Sequence, residues 1–165
     1  MSLSYLISRK WSRGNRSVIT DEAGVERFEV QGPRAFSGGL SLRDPAGTEL
    51  AAISRQGFSA RYEILAGGEL TTVRSRGFLG QRFEIDSAAG RLEARGNFSG
   101  RKYSITRGGS PAAAVTQLRT FREQFAVEVS EPEDPVLMLA VVLVIETIRA
   151  NRNNAAAAGA VAAST

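Results

Sequence analysis

Ten consecutive residues, Val136 to Ile145, carry no polar side chain, and this run constrains the fold more than any other stretch of the chain. Asp134 just ahead of it is a good N-cap, and Pro135 suits the first helical position, where a missing N–H costs nothing. Arg149 and Arg152 follow at the far end, where positive charge complements the helix dipole. These start and stop signals predict a helix over about 133–152. Because the run is apolar on all sides and not along one stripe, a helix made from it must be enclosed completely. At helical rise it is about 15 Å long, and it falls short of the roughly 20 apolar residues that span a bilayer. Ile148 does not lengthen it usefully, since Glu146 interrupts. The helix is therefore expected to be a core element, with the preceding residues as its wrapping.

Those residues read as strands. From Tyr5 to Val129 the dominant period is two, broken at short intervals by turns. Asp21-Glu22-Ala23-Gly24, Asp44-Pro45-Ala46-Gly47, Ala66-Gly67-Gly68, Ser87-Ala88-Ala89-Gly90 and Gly108-Gly109 each separate two alternating segments, as hairpin turns do. An aromatic-x-Ile/Val triplet recurs at Phe28–Val30, Tyr62–Ile64, Phe83–Ile85, Tyr103–Ile105 and Phe125–Val127. Residues two apart share a strand face, so each triplet presents one large and one branched apolar group to the same core. Base-stacking aromatics would instead be exposed and interleaved with basic residues, which is not the pattern here. About twelve short strands in hairpins need a filled interior, and the helix needs an enclosure. A closed antiparallel barrel wound round the C-terminal helix meets both demands. Residues 1–152 are expected to form that domain, and the Ala-rich residues 153–165 a disordered tail.

Composition narrows the chemistry. The chain has no cysteine and no histidine, which excludes disulfides, thiolate and Ser-His-Asp catalysis and the usual zinc and iron–sulfur ligand sets. The carboxylates Asp21, Glu22, Asp44 and Asp86 lie in or beside turns, where they stabilise backbone locally, and the spacing brings no acid–base pair together. No calcium-loop alternation of acids occurs, and the Gly-rich pieces Gly38-Gly39, Gly67-Gly68, Gly77–Gly80 and Gly108-Gly109 sit between strands, not ahead of a helix as a phosphate loop requires. No cofactor or metal is implied. The net charge of +4 comes from arginine, with Lys10 and Lys102 the only lysines. Acidic residues are interspersed and no basic run exceeds two, so a nucleic-acid partner is not expected. Met1 to Trp11 lacks the apolar core of a secretory signal, which makes a cytoplasmic protein the default.

The order of several fragments is similar to that of the LURP-one-related family, grouped with tubby C-terminal domains and phospholipid scramblases. The fragments are Ile19-Thr-Asp-Glu-Ala-Gly24 with Phe28-Glu-Val30 and Gly32, Leu40-Ser-Leu-Arg-Asp44 with Gly47, Leu50 and Ile53-Ser-Arg55, Gly96-Asn-Phe98 before Tyr103-Ser-Ile105, and Asp134 through Ile148. The resemblance implies a twelve-stranded barrel round a central hydrophobic helix. It implies a non-catalytic module, peripheral at a membrane and binding anionic phospholipid, as the tubby and scramblase relatives suggest. The alternatives are a structural or regulatory protein-interaction scaffold without lipid affinity and, disfavoured by the missing side chains, an enzyme using carboxylates. No phosphoinositide motif of the tubby type matches residue by residue.

Three basic groups are candidates for an anionic ligand: Arg9, Lys10, Arg13 and Arg16; Arg74, Arg76 and Arg82; and Arg101 with Lys102. Arg74 and Arg76 share a strand face, and the Gly77–Gly80 connection can bring Arg82 beside them, a cluster suited to a phosphorylated head group. The competing and plainer reading is a solvated face whose arginines pair across strands with Glu84 or Glu93. Glu146 is expected at the barrel exit, paired with an interior arginine or with Arg149 at i+3.

Overall fold

The computed structural model describes residues 2–10, 16–32, 39–56, 61–77, 82–118 and 124–164. Twelve strands precede one helix: β1 (Ser2–Lys10), β2 (Arg16–Asp21), β3 (Glu26–Gln31), β4 (Leu40–Arg43), β5 (Glu49–Arg55), β6 (Arg61–Ala66), β7 (Glu69–Arg76), β8 (Arg82–Ser87), β9 (Gly90–Asn97), β10 (Lys102–Arg107), β11 (Ser110–Gln117), β12 (Gln124–Ser130) and α1 (Pro135–Ser164). Every strand pairs antiparallel with its neighbours in sequence, and β1 pairs with β12 from Ser2↔Ser130 to Ser8↔Gln124, closing the barrel. The expected all-β barrel with a single hydrophobic helix is the observed architecture.

Alternation decides which face points inward. Ile53, Ile64, Val73, Ile85, Leu92, Ile105, Val115 and Val127, one on each strand from β5 to β12, are at most 3% exposed, while the residues beside them face out. Four of the aromatic triplets are buried in this way. In the fifth, Val30 is buried but Phe28 is half-buried and packs against Tyr5, ring centroids 5.8 Å apart. Along α1, Met138 to Ile145 are all buried, so the barrel wall surrounds the helix on every side. Asp134 caps the helix as its position predicts: its Oδ1 accepts from Val136 N at 3.0 Å and its carbonyl from Met138 N at 3.0 Å. The helix continues through the Ala-rich stretch to Ser164, beyond Arg152, where the sequence signals place its end. Alanine's high helix propensity lets that stretch continue a helix without any patterned face.

The turns use the predicted chemistry. Asp21 Oδ1 accepts from Ala23 N and Val25 N at 2.9 and 3.0 Å, and Asp44 Oδ1 from Thr48 N at 2.9 Å. Gly24 and Gly47 in these turns hold φ of 80° and 89°, a region that favours glycine. Up-and-down topology sorts the connections into two sets. Ser2, the tight turns after β2, β4, β6, β8 and β10, and the start of α1 lie at one end, called here the entry end. The other connections and the emerging helix lie at the exit end. Trp11, Arg13, Gly38, Gly80 and the side chains of Arg9 and Lys10 lie outside the described residues.

Candidate anion-binding surface

Strand direction separates the charges. Arg16, Arg61, Arg82 and Lys102 open strands that start at the exit end, and Arg55, Arg74, Arg76 and Arg95 stand in the closing residues of strands that finish there. Arg149 and Arg152 leave the barrel at the same end on α1. The entry end carries Glu22, Glu26, Asp44, Glu49, Glu69, Asp86 and the Glu131-Pro-Glu-Asp134 segment ahead of the helix. Three of its arginines are matched locally, Arg27 with Asp21, Arg91 with Asp86 and Arg107 with Glu133, each at 2.7–2.8 Å, and Arg43 donates to Ser41 Oγ at 3.0 Å. Among the described residues the barrel is therefore basic at one end and acidic at the other.

All five candidates Arg74, Arg76, Arg82, Arg101 and Lys102 fall at the basic end, but in different settings. Arg76 faces Arg82 across β7 and β8, and Arg82 faces Arg95 across β8 and β9, which makes a row of three guanidinium-bearing positions round the outer wall. The expected cross-strand partners are present too: Arg76 Nε lies 3.1 Å from Glu84, and Arg82 lies 3.8 Å from Glu93, which also holds Arg95. Glu84 and Glu93 stand directly opposite each other, an adjacency of carboxylates that spacing alone did not reveal, and each is held by arginine. Lys102 is exposed and sits opposite Asn97.

Arg74 differs from its neighbours. It faces Arg61 on β6, and Glu84, directly opposite on β8, is engaged by Arg76 instead. The Nε atoms of both Arg61 and Arg74 are shielded from solvent and meet no acceptor. Arg61 was not a sequence candidate. Its signal was available: counting outward from the Gly67-Gly68 turn, position 61 meets position 74.

Arg101 turns away from the outer wall and into the barrel mouth. Its Nε lies 2.8 Å from Glu146 Oε2, its Nη1 donates to Gln117 Oε1 at 3.1 Å, and its guanidinium stacks 4.7 Å above the Phe125 ring. Arg149 approaches the same carboxylate at 3.7 Å, and the Tyr103 hydroxyl donates to Glu146 Oε1 at 3.2 Å. Burial pushes the Tyr103 phenol well above its ordinary value of 10.0, and the charge and hydrogen bond of Glu146 push the same way. Farther out, Arg149 donates to Ser99 O, and Arg152 donates to Ser75 Oγ at 2.7 Å while lying over the Phe83 ring. The pairing predicted for Glu146 is present, and it fastens α1 to the rim.

Other features speak to chemistry. Among the described residues no group of three or more His, Cys, Asp or Glu could hold a metal ion, and no helix is long and apolar enough to cross a membrane. Among the described residues the exposed large apolar side chains, Leu3, Val25, Leu65 and Leu70, lie at the entry end.

The model of the family described as LURP-one-related matches residues 4–146. The chain belongs to the LURP-one-related family. Among solved structures, an X-ray structure of an Arabidopsis thaliana protein is similar to this domain with a TM-score of 0.70 and 19% identity, over 89% of this chain and 91% of that one. At that identity the likeness establishes the barrel fold alone. No curated protein matches the chain significantly.

Proposed function

We propose that this LURP-one-related domain is a non-catalytic module that docks on anionic phospholipid at a membrane surface, basic end first. The segregation of charge along the barrel axis carries this reading. A surface potential of one sign attracts the exit end and repels the entry end, so the barrel meets the membrane in one orientation. Arg74, Arg76, Arg82 and Lys102 meet the head groups in this reading, while Arg101, matched by Glu146, keeps the mouth shut behind them. Among the described residues the exposed large apolar side chains are at the far end, so the charge of the exit end carries the attachment in this reading.

Co-sedimentation with vesicles of phosphatidylserine and phosphatidylcholine tests this. Binding should be strong at low salt, fall steeply as the Debye length drops below about 10 Å near 0.1 M salt, and weaken several-fold in Arg74→Ala/Arg76→Ala. Absence of binding at low salt would overturn the proposal. A second reading, a protein-interaction scaffold without lipid affinity, draws on Leu65 and Leu70. They face each other across β6 and β7 at 53% and 52% exposure. It requires that vesicles fail and that a partner captured from the source cell extract be lost on Leu65→Ser/Leu70→Ser.

A further inference from the structure

The Arg61–Arg74 pair is an anomaly on the barrel wall. Like charges directly opposite on neighbouring strands are destabilising, and a shielded N–H donor without an acceptor adds to the cost. Both occur here together. The acids that could relieve them are engaged elsewhere: Glu84 accepts from Arg76 at 3.1 Å, and Glu63, two positions from Arg61, accepts from Gln56 at 3.0 Å. A water molecule could take the N–H bonds but would leave the two charges facing each other. An anion with several acceptor oxygens, held by the outer Nη atoms, answers the facing charges.

We propose that the guanidiniums of Arg61 and Arg74, borne by directly paired positions of β6 and β7, form a binding site for a single phosphate group. Each planar fork can donate two parallel hydrogen bonds to phosphate oxygens, and Arg76 and Arg82 at the next register step raise the potential in favour of a dianionic phosphomonoester. This rests on the reading of the exit end as the anionic-ligand face and narrows it to one pair of residues and one chemical group. The phosphate can belong to a lipid head group or to a soluble molecule.

The test compares thermal unfolding midpoints in inorganic phosphate and in sodium chloride of equal ionic strength, for the wild type, Arg61→Gln, Arg74→Gln and Arg74→Lys. The wild type should gain about 4 °C at ten times the phosphate dissociation constant. The Gln variants should lose that gain, yet unfold in chloride no earlier than the wild type, because repulsion is relieved. Arg74→Lys keeps the charge but not the fork, and should lose most of the gain. A phosphate response equal in wild type and Gln variants, or none in the wild type, overturns the site, as do Gln variants that unfold earlier in chloride.

Vesicles separate the sources and separate this proposal from the broader one. Preference for phosphatidate over phosphatidylglycerol that vanishes in the Gln variants assigns the phosphate to lipid. A phosphate response confined to the wild type, with vesicle binding unchanged by the variants, assigns it to a soluble molecule. Wild type that ignores vesicles but responds to phosphate keeps the site and removes the membrane reading; vesicle binding with no phosphate response does the reverse.

Discussion

At the scale of single residues, the most demanding position is Gly96. It lies opposite Tyr103 at a φ of 138°, and a Cβ there would come within 2.6 Å of Tyr103 Cα and 2.7 Å of Lys102 O. Backbone cannot give way as a flexible side chain can, so Gly96→Ala should cost about 2 kcal/mol or more, read as a lower urea midpoint at unchanged m-value. It should also disturb Tyr103, whose ring packs 4.9 Å from Phe98 and whose hydroxyl reaches Glu146. Residue roles were unevenly legible in the sequence. The turn work of Asp21 and Asp44, the capping by Asp134 and the pairing of Glu146 follow from local rules and are present. That Arg101 turns inward was not legible, because its φ of 51° places it outside the alternation that governs strand faces. The facing pairs Arg61–Arg74 and Glu84–Glu93 need register as well as alternation, and register comes from counting outward from the Gly67-Gly68 and Ser87–Gly90 turns, not from periodicity.

At the scale of elements, α1 is the interior of the molecule. Val142 is fully buried within it, and Val141 and Leu143 on either side are buried as well. Val142→Asp would place an unpaired charge in an apolar enclosure, at several kcal/mol, comparable to the whole stability of a domain. The variant should fail to fold, with no near-ultraviolet circular dichroism and no cooperative unfolding transition; a folded variant would show that the helix is not the core. The same ten residues announced both the helix and the need for a closed wall, which is why this much of the fold could be read early. The helix end could not. Arg149 and Arg152 look like terminal charges, yet their side chains reach sideways to Ser99 and Ser75 on the rim while the helix passes on.

At the scale of the whole molecule, the absence of histidine sets the pH response. No side chain with an ordinary value between pH 5 and 8 is present, so stability should be flat across that window. Glu29 is held below its ordinary value of 4.5 by its hydrogen bond from Arg16, and Asp21 below 3.8 by that from Arg27. A depressed carboxylate contributes stability above its unfolded value and loses it as pH falls through the folded one, so the midpoint should drop below about pH 4.5 and Glu29→Gln should soften the drop. Tyr103 acts with the opposite sign. The unfolded phenol ionises first, so stability should fall as pH rises past 10.0, and Tyr103→Phe should remove that limb. Urea unfolding at a series of pH values measures all three.

The segregation of charge between the barrel's ends was present in the chain order throughout. It appears only once alternate strands are known to run in opposite directions, because along the sequence acids and arginines look evenly mixed. Chain order has one more effect. The element that fills the barrel follows all twelve strands, and the closing pair joins Ser2 to Ser130. A ribosome making this chain therefore releases every inward-facing apolar residue of the wall before anything exists to cover it. Domains with a central strand or an early helix can condense as they emerge; this one has to wait. Apolar surface exposed in this way is prone to aggregate, so the barrel should complete only once the helix through Ile145 has been made.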